Sequence, residues 1–156
     1  MNVSKEKDSL DWPKLVTKSE DWKKNHKGWL AELKRVKTLD EIADRPAYYR
    51  LLQGVMPAGR IAERVAFLLP WLPHKDGAES LGQQFQKAKV SEMRLFQVLR
   101  SESPGDLEML RRLIQQTKAE VDWKFFSQTM KYWGKYQKRQ LLEHYFLTNQ
   151  KSNKKD

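Results

Sequence analysis

The sequence predicts an all-α fold: a compact protein of about seven to nine helices, built as one bundle or as two small helical lobes. Apolar residues recur at helical spacings along most of the 156-residue chain. Serine or aspartate precedes several of these segments, as is usual at helix N-caps. No segment alternates apolar and polar residues over a useful length, so β-strands are not expected.

The first half of the chain carries the signals of four helical segments. Ser19 and the two acids after it are typical of a helix start, because acids in the first turn favour the positive end of the helix dipole. Pro46 ends the second segment, since the residue before a proline avoids helical angles. Pro70 and Pro73 break the fourth. The predicted segments are Ser19 to about Val36, Leu39–Ala43, Ala47–Gln53 and Arg60–Trp71.

The second half carries the signals of five more helices. Ser80, Ser91 and Asp122 are predicted N-caps, and a Ser-Pro-Gly-Asp turn at 103–106 ends one helix and begins the next. Gly134 either kinks the last helical segment or divides it in two. The predicted helices are Leu81–Ala88, Glu92–Ser101, Leu107–Ala119, Trp123–Trp133 and Lys135–Asn149.

These boundaries suggest a simple domain organisation. Residues 1–18 are predicted to be a poorly defined N-terminal extension, and residues 19–149 a helical domain. The Pro- and Gly-containing loop at 73–79 is the expected boundary if there are two lobes. Residues 150–156 are predicted to form a disordered basic tail.

Composition favours an anionic partner. The chain carries 30 Lys and Arg against 20 Asp and Glu, a net charge of +10. No apolar run approaches the roughly 20 residues that span a bilayer, and the N-terminus has no apolar signal core. Cysteine is absent, which excludes disulfides and thiolate chemistry. We therefore expect a cytoplasmic protein without a membrane partner.

No motif predicts an enzyme. His26, His74 and His144 lie in separate elements without metal-ligand spacing, and we expect them at the surface. Neither a nucleophile elbow nor a phosphate-binding glycine loop is present. The densest acids, around Asp40, lie beside a helix start and are interpreted as capping residues. No catalytic residue, cofactor or metal site is predicted.

The segment Trp123–Leu147 points most directly to a binding function. It carries five cations and no acid before Glu143, with aromatic residues between the cations. Cations hold phosphates and flat rings stack on bases, so the pattern is typical of nucleic-acid binding. Aromatic residues at helical spacing also build cores, and we expect Phe125, Phe126 and Phe146 to be buried.

Three segments resemble one known family. The run YWGKYQKRQLLEHYFLTNQ at 132–150 resembles the C-terminal signature of CasB, the small subunit of the type I-E CRISPR Cascade complex. DEIADRPAYYRLLQ at 40–53 and SLGQQFQKAKVSEMRLFQVLRSESPGDLEMLRRLI at 80–114 resemble two further elements of that family. The three segments occur in the family's order and cover most of residues 34–150.

The resemblance implies a non-enzymatic subunit of a crRNA-guided antiviral complex. Two copies would pack head to tail and contact the backbone subunits and the large subunit, CasA. They would hold the R-loop open by binding target DNA, especially its displaced strand, through basic residues. The residues assigned to this contact are Lys34, Arg35, Arg50, Arg94, Arg100, Arg111, Arg112, Lys118, Lys135, Lys138 and Arg139.

Helical geometry sorts some of these cations. Arg111 and Lys118 are seven residues apart and share a stripe beside the apolar face of Leu107–Ala119, so they could line one groove wall. Arg112 points elsewhere. Lys135, Lys138 and Arg139 would lie near the positive end of a helix that begins after Gly134, an unfavourable position that a bound phosphate would reverse. Charge reversal of Arg111 together with Lys138 is expected to weaken the R-loop and leave the fold intact.

Two other classes remain open on the residues alone. One is a stand-alone helical protein that binds RNA or DNA without partner subunits. The other is a basic helical adaptor for an acidic protein, which would show no affinity for nucleic acid at moderate salt.

Overall fold

The described part of the protein is mostly helical. The computed structural model describes the backbone of residues 10–155 and the side chains of residues 10–147. Within these residues there is no β-strand, only an isolated bridge between His74 and Val121, so the all-α prediction is confirmed. The α-helices are α1 (Trp12–Asn25), α2 (Lys27–Lys34), α3 (Pro46–Leu52), α4 (Arg60–Leu68), α5 (Leu81–Lys87), α6 (Glu92–Arg100), α7 (Gly105–Thr117), α8 (Trp123–Lys131) and α9 (Lys135–Lys155). Two 3-10 helices span Leu39–Asp44 and Leu69–Trp71. None of the described helices is long and apolar enough to cross a membrane.

The start of the first helix was predicted wrongly. Helix α1 begins at Trp12, where the Asp11 carboxylate accepts a hydrogen bond from the backbone N–H of Lys14. Ser19 is buried inside α1, so the serine and its two acids imitate an N-cap without being one. The chain then breaks at His26, whose ring stacks on Trp29 with centroids 3.8 Å apart. Residues 1–9 and the side chains beyond 147 lie outside the description, and the predicted tail at 150–156 stays a prediction.

One hydrophobic cluster joins helices from before and after the 73–79 loop. Its largest fully buried side chains include Trp22, Tyr48, Phe67, Phe85 and Trp123. That loop is present as predicted, while its role as a lobe boundary stays a prediction. The core therefore positions the helical surfaces on both sides of the loop relative to one another.

The expected burial of Phe125, Phe126 and Phe146 is wrong in part. In α8 Phe126 is buried as predicted, but Phe125 is 64% exposed. Phe146 is only half-buried against the core, while Leu141 and Leu142 of α9 are buried.

Helices α5 and α9 approach so closely that only glycine fits at their crossing. A Cβ atom on Gly82 would lie 2.3 Å from the carbonyl oxygen of Leu141 and 2.8 Å from the backbone nitrogen of Tyr145. The Tyr145 hydroxyl reinforces this packing by donating to the carbonyl of Val90, 2.6 Å away. The Ser80 capping box, with Gln83, fixes where α5 begins.

Asp122 caps α8 as predicted and also holds the 73–79 loop. One of its carboxylate oxygens accepts from the backbone N–H of Lys124 at 3.0 Å, and the other from that of Gly77 at 2.9 Å. The hydrogen bond from Gly77 is the main reason that the pKa of Asp122 lies below its usual value.

We therefore expect Asp122→Ala to lower the free energy of unfolding at about pH 7 by about 1 kcal/mol, as N-cap losses typically do. A carboxylate with a depressed pKa stabilises the fold above its unfolded pKa of about 4, and this stabilisation is lost as the pH falls through the folded pKa. The difference between variant and wild type should thus shrink at about pH 3 in urea unfolding. Ser91→Ala removes an uncharged cap from α6 and should show no such pH dependence. If the free energy of unfolding of Asp122→Ala stayed below that of wild type by the same amount at both pH values, the charge of the Asp122 carboxylate would not contribute to the cap.

Candidate nucleic-acid interface

Most of the predicted contact residues lie at the surface with their charge unneutralised. Nine of the eleven assigned cations are exposed, namely Lys34, Arg35, Arg50, Arg94, Arg100, Arg112, Lys118, Lys135 and Arg139. Over residues 10–147, where side chains are described, none of these nine has a carboxylate oxygen within 4.0 Å. The positive charge of these nine residues is therefore not neutralised by ion pairs within the described part of the chain.

Arg111 is different, because it belongs to the core edge. It is 8% exposed, and its guanidinium carbon lies 4.1 Å from the centre of the Phe67 ring. Its Nη2 donates to the carbonyl of Lys37 at 3.4 Å, which holds α7 against the loop after α2. Burial lowers the pKa of this guanidinium. The predicted groove wall of Arg111 and Lys118 is wrong, since Lys118 leaves the helix in a left-handed conformation with φ of 52°.

Lys138 is the second assigned residue whose charged group makes contacts inside the protein. It is 8% exposed, and its Nζ lies 2.7 Å from Oδ2 of the buried Asp106. Nζ also donates to the carbonyl of Ser101 at 2.7 Å. The Asp106 carboxylate accepts further hydrogen bonds from the Trp133 indole at 3.0 Å and from the backbone N–H of Leu107 at 2.7 Å.

These positions correct the assignment. The charged groups of Arg111 and Lys138 are engaged inside the protein, so they are not placed to bind an external strand. Reversing both charges would set a carboxylate against Asp106 and place another beside the Phe67 ring, so we now expect the double variant to destabilise the fold instead of leaving it intact.

Three of the exposed cations surround the point where α6 ends and α9 begins. Arg100 precedes Ser101, whose carbonyl binds Lys138 in the first turn of α9. Lys135 and Arg139 flank Lys138 and, four residues apart, share the outer face of the helix. We call Arg100, Lys135 and Arg139 the α6–α9 cluster. Because α9 begins directly after Gly134, these charges sit near the positive end of its dipole, where no acid in the first turn offsets them.

Other exposed cations are positioned by aromatic rings or amides. The Nζ atom of Lys34 lies 4.9 Å from the centre of the Trp71 ring, and the guanidinium of Arg50 lies 5.0 Å from that of Trp29. Arg94 donates to the side chain of Gln116 on α7. The charged groups of these three side chains are therefore positioned at the surface without being paired with a carboxylate.

Sequence reasoning missed a groove between α8 and α9. Exposed rings of Phe125 and Tyr132 line it, and each has a lysine beside it, Lys124 and Lys131. The two lysine–aromatic dipeptides, at 124–125 and 131–132, were the available signal. They were missed because Phe125 was expected in the core.

The loop at 73–79 brings together three side chains of the kind that bind metals. Ligand atoms of His74, Asp76 and Asp122 lie within 4.8 Å of one another. The protein already engages these atoms: His74 Nδ1 accepts from the backbone N–H of Trp123 at 3.0 Å, and Nε2 pairs with Asp76 at 2.6 Å. The arrangement fits a structural clamp between the loop and α8 better than a metal centre.

Comparison with known proteins places the chain in a family. No protein-family model matches it. It is 31% identical to the CRISPR system Cascade subunit CasB of Escherichia coli strain K12, over a match that covers 84% of this chain and 91% of that protein. A chain in the crystal structure of E. coli Cascade bound to a PAM-containing double-stranded DNA target superimposes with a TM-score of 0.79. That match has 30% identity and covers 92% of this chain and 99% of the other. The chain therefore belongs to the CasB family of CRISPR Cascade subunits.

Proposed function

We propose that this chain is the non-catalytic small subunit of a crRNA-guided type I-E Cascade complex and stabilises the R-loop by holding the displaced non-target strand. The observation that carries the proposal is the set of nine exposed cations without carboxylate partners in the described part of the chain. Family membership supports it, as does the likeness to a chain of a Cascade assembly bound to target DNA.

The energetics of R-loop formation make such a subunit effective. The guide–target hybrid is about as stable as the DNA duplex that it replaces, so a small contribution decides the balance. Contacts between cations and the phosphates of the displaced strand oppose its return to the duplex. Such contacts are independent of sequence and weaken with salt.

The proposed partners follow from the same assembly. They are the backbone subunits, the large subunit CasA, a second copy of this chain, the crRNA and the target DNA. A non-catalytic role is supported by membership of the CasB family of Cascade subunits.

Charge reversal of the α6–α9 cluster tests the proposal. In the assembled complex, Arg100→Glu/Lys135→Glu/Arg139→Glu should shorten the lifetime of the R-loop about tenfold or more. The plot of log affinity for single-stranded DNA against log salt should become less steep by about 2, since each lost phosphate contact reduces the magnitude of the negative slope by roughly 0.7. R-loop lifetime and salt titrations with the purified chain measure the two effects.

A matched variant separates specific contact from net charge. Lys23→Glu/Lys24→Glu/Lys27→Glu changes the charge equally at exposed positions of α1 and α2 and should leave the R-loop lifetime within about twofold. Equal losses in both variants would show that only overall charge matters. The proposal would be overturned if neither variant shortened the R-loop lifetime. It would also be overturned if the purified chain cleaved DNA in the presence of magnesium.

A further inference from the structure

We propose that the groove between α8 and α9 is a base-stacking site for single-stranded nucleic acid; the proposal rests on the function proposed above and adds how the strand is held. The groove has a volume of about 470 Å³. Its walls come from the start of α5, from α8 and from α9. Its floor is formed by buried apolar side chains, among them Leu81, Leu110, Phe126 and Leu141.

Two aromatic rings line this groove and face solvent. Phe125 is 64% exposed and Tyr132 is 59% exposed. Neither ring contributes to the buried core, and in a chain with a well-filled core such rings are available to a ligand. Flat aromatic faces accept any base, because every base has a π-face.

A cation accompanies each of these rings. The Nζ atom of Lys124 lies 5.6 Å from the centre of the Phe125 ring, and that of Lys131 lies 5.4 Å from the centre of the Tyr132 ring. Bases could therefore stack on the rings while their phosphates meet the adjacent ammonium groups. Lys135, which belongs to the α6–α9 cluster, lies two residues after the groove-lining Trp133, so the cluster and the groove adjoin along the chain.

The polar lining suits base edges. Gln128, Thr129 and Gln137 line the groove, and their side chains make no hydrogen bond to other described residues. Amides and hydroxyls both donate and accept, as base edges require. The two acids of the lining are already engaged: Glu79 pairs with Lys87 at 2.6 Å, and Asp122 accepts two backbone N–H groups. An apolar helix of a partner protein would leave these polar groups buried without partners, which favours nucleic acid.

The test compares strands with and without bases. The purified full-length chain is titrated at low salt with a 20-nucleotide thymidine strand and with an abasic strand of the same length. Wild type should bind the thymidine strand about tenfold or more tightly, because stacking of one or two bases accounts for that ratio. Phe125→Ala/Tyr132→Ala should remove the preference and keep the affinity for the abasic strand.

Controls separate the outcomes. Tyr49→Ala removes an exposed ring from α3, outside the groove, and should keep the preference. Thermal melting should show both variants folded, since the rings they remove are exposed. Crosslinking of an iodouracil-substituted strand, mapped by mass spectrometry, should yield adducts at Phe125 or Tyr132.

Each contrary result is distinct. If wild type binds both strands equally, the groove is not a stacking site, while the proposed strand-holding function survives. If it binds neither strand, both proposals fail. If Phe125→Ala/Tyr132→Ala binds strands as wild type does but is lost from the assembled complex, the groove is a protein-docking surface and the base-stacking proposal is overturned.

Discussion

Replacing Lys138 with methionine should lower the free energy of unfolding by about 3–5 kcal/mol, the range measured when one partner of a buried ion pair is removed. The variant leaves the Asp106 carboxylate buried with hydrogen bonds from Trp133 and Leu107 but without its counter-ion. The carbonyl of Ser101 also loses its donor. Urea unfolding measures the loss, and the melting temperature should fall by about 6–20 °C for a chain of this size.

A double-mutant cycle shows whether the pair itself is responsible. Asp106→Leu/Lys138→Met removes both charges together and should cost much less than Lys138→Met alone, because no unpaired charge is left in the interior. Lys135→Met, one turn earlier on the exposed face of α9, should change the stability by no more than about 0.5 kcal/mol. A Lys138→Met variant as stable as Lys135→Met would show that the ion pair contributes nothing.

The sequence carried more information about Lys138 than its charge suggested. Lys138 lies three, four and seven residues before Leu141, Leu142 and Tyr145, which is the spacing of one helical stripe. Arg111 lies four residues after Leu107 and three residues before Ile114, which is also the spacing of one helical stripe. Periodicity could therefore have placed both cations on buried faces. Their partners could not be predicted, since Asp106 and Ser101 lie more than 30 residues from Lys138 and meet it only through tertiary packing.

Local capping signals explain where helix prediction succeeded. Ser80, Ser91 and Asp122 each accept the expected backbone hydrogen bond, and the helices after them begin where predicted. The same kind of signal failed at Ser19, because a serine followed by acids is also compatible with a helix interior. The exposure of Phe125 follows from the stripe of Trp123, Phe126 and Met130, which leaves Phe125 on another face of a two-turn helix.

The charge of the candidate interface was predictable, but its shape was not. Nine of eleven assigned cations are exposed because long charged side chains leave the surface only when a buried partner compensates them. The α8–α9 groove depends on how closely α5 approaches α9, which no helical periodicity encodes. A single glycine controls that approach.

Replacing Gly82 with alanine should therefore destabilise the fold by about 3 kcal/mol, at the upper end of the cost of overpacking a core. The added methyl group would lie 2.3 Å from the Leu141 carbonyl oxygen and 2.6 Å from the Cβ atom of His144. Two of its three nearest atoms belong to the backbone of α9, so rotation of a side chain cannot relieve the clash. The helices must separate, which opens the core contact and widens the groove that Leu81, Gly82 and Leu141 line.

Gly28→Ala is the matched control for this variant. Gly28 also lies in a helix, α2, but a Cβ atom there meets nothing within 4 Å. Because alanine favours the helix over glycine, Gly28→Ala should leave the stability unchanged or raise it by up to about 1 kcal/mol. Thermal and urea unfolding of the two variants should thus move in opposite directions. If Gly82→Ala melted within about 2 °C of wild type, α5 and α9 could not be packed as closely as the structure has them, and the groove between α8 and α9 would need a different shape.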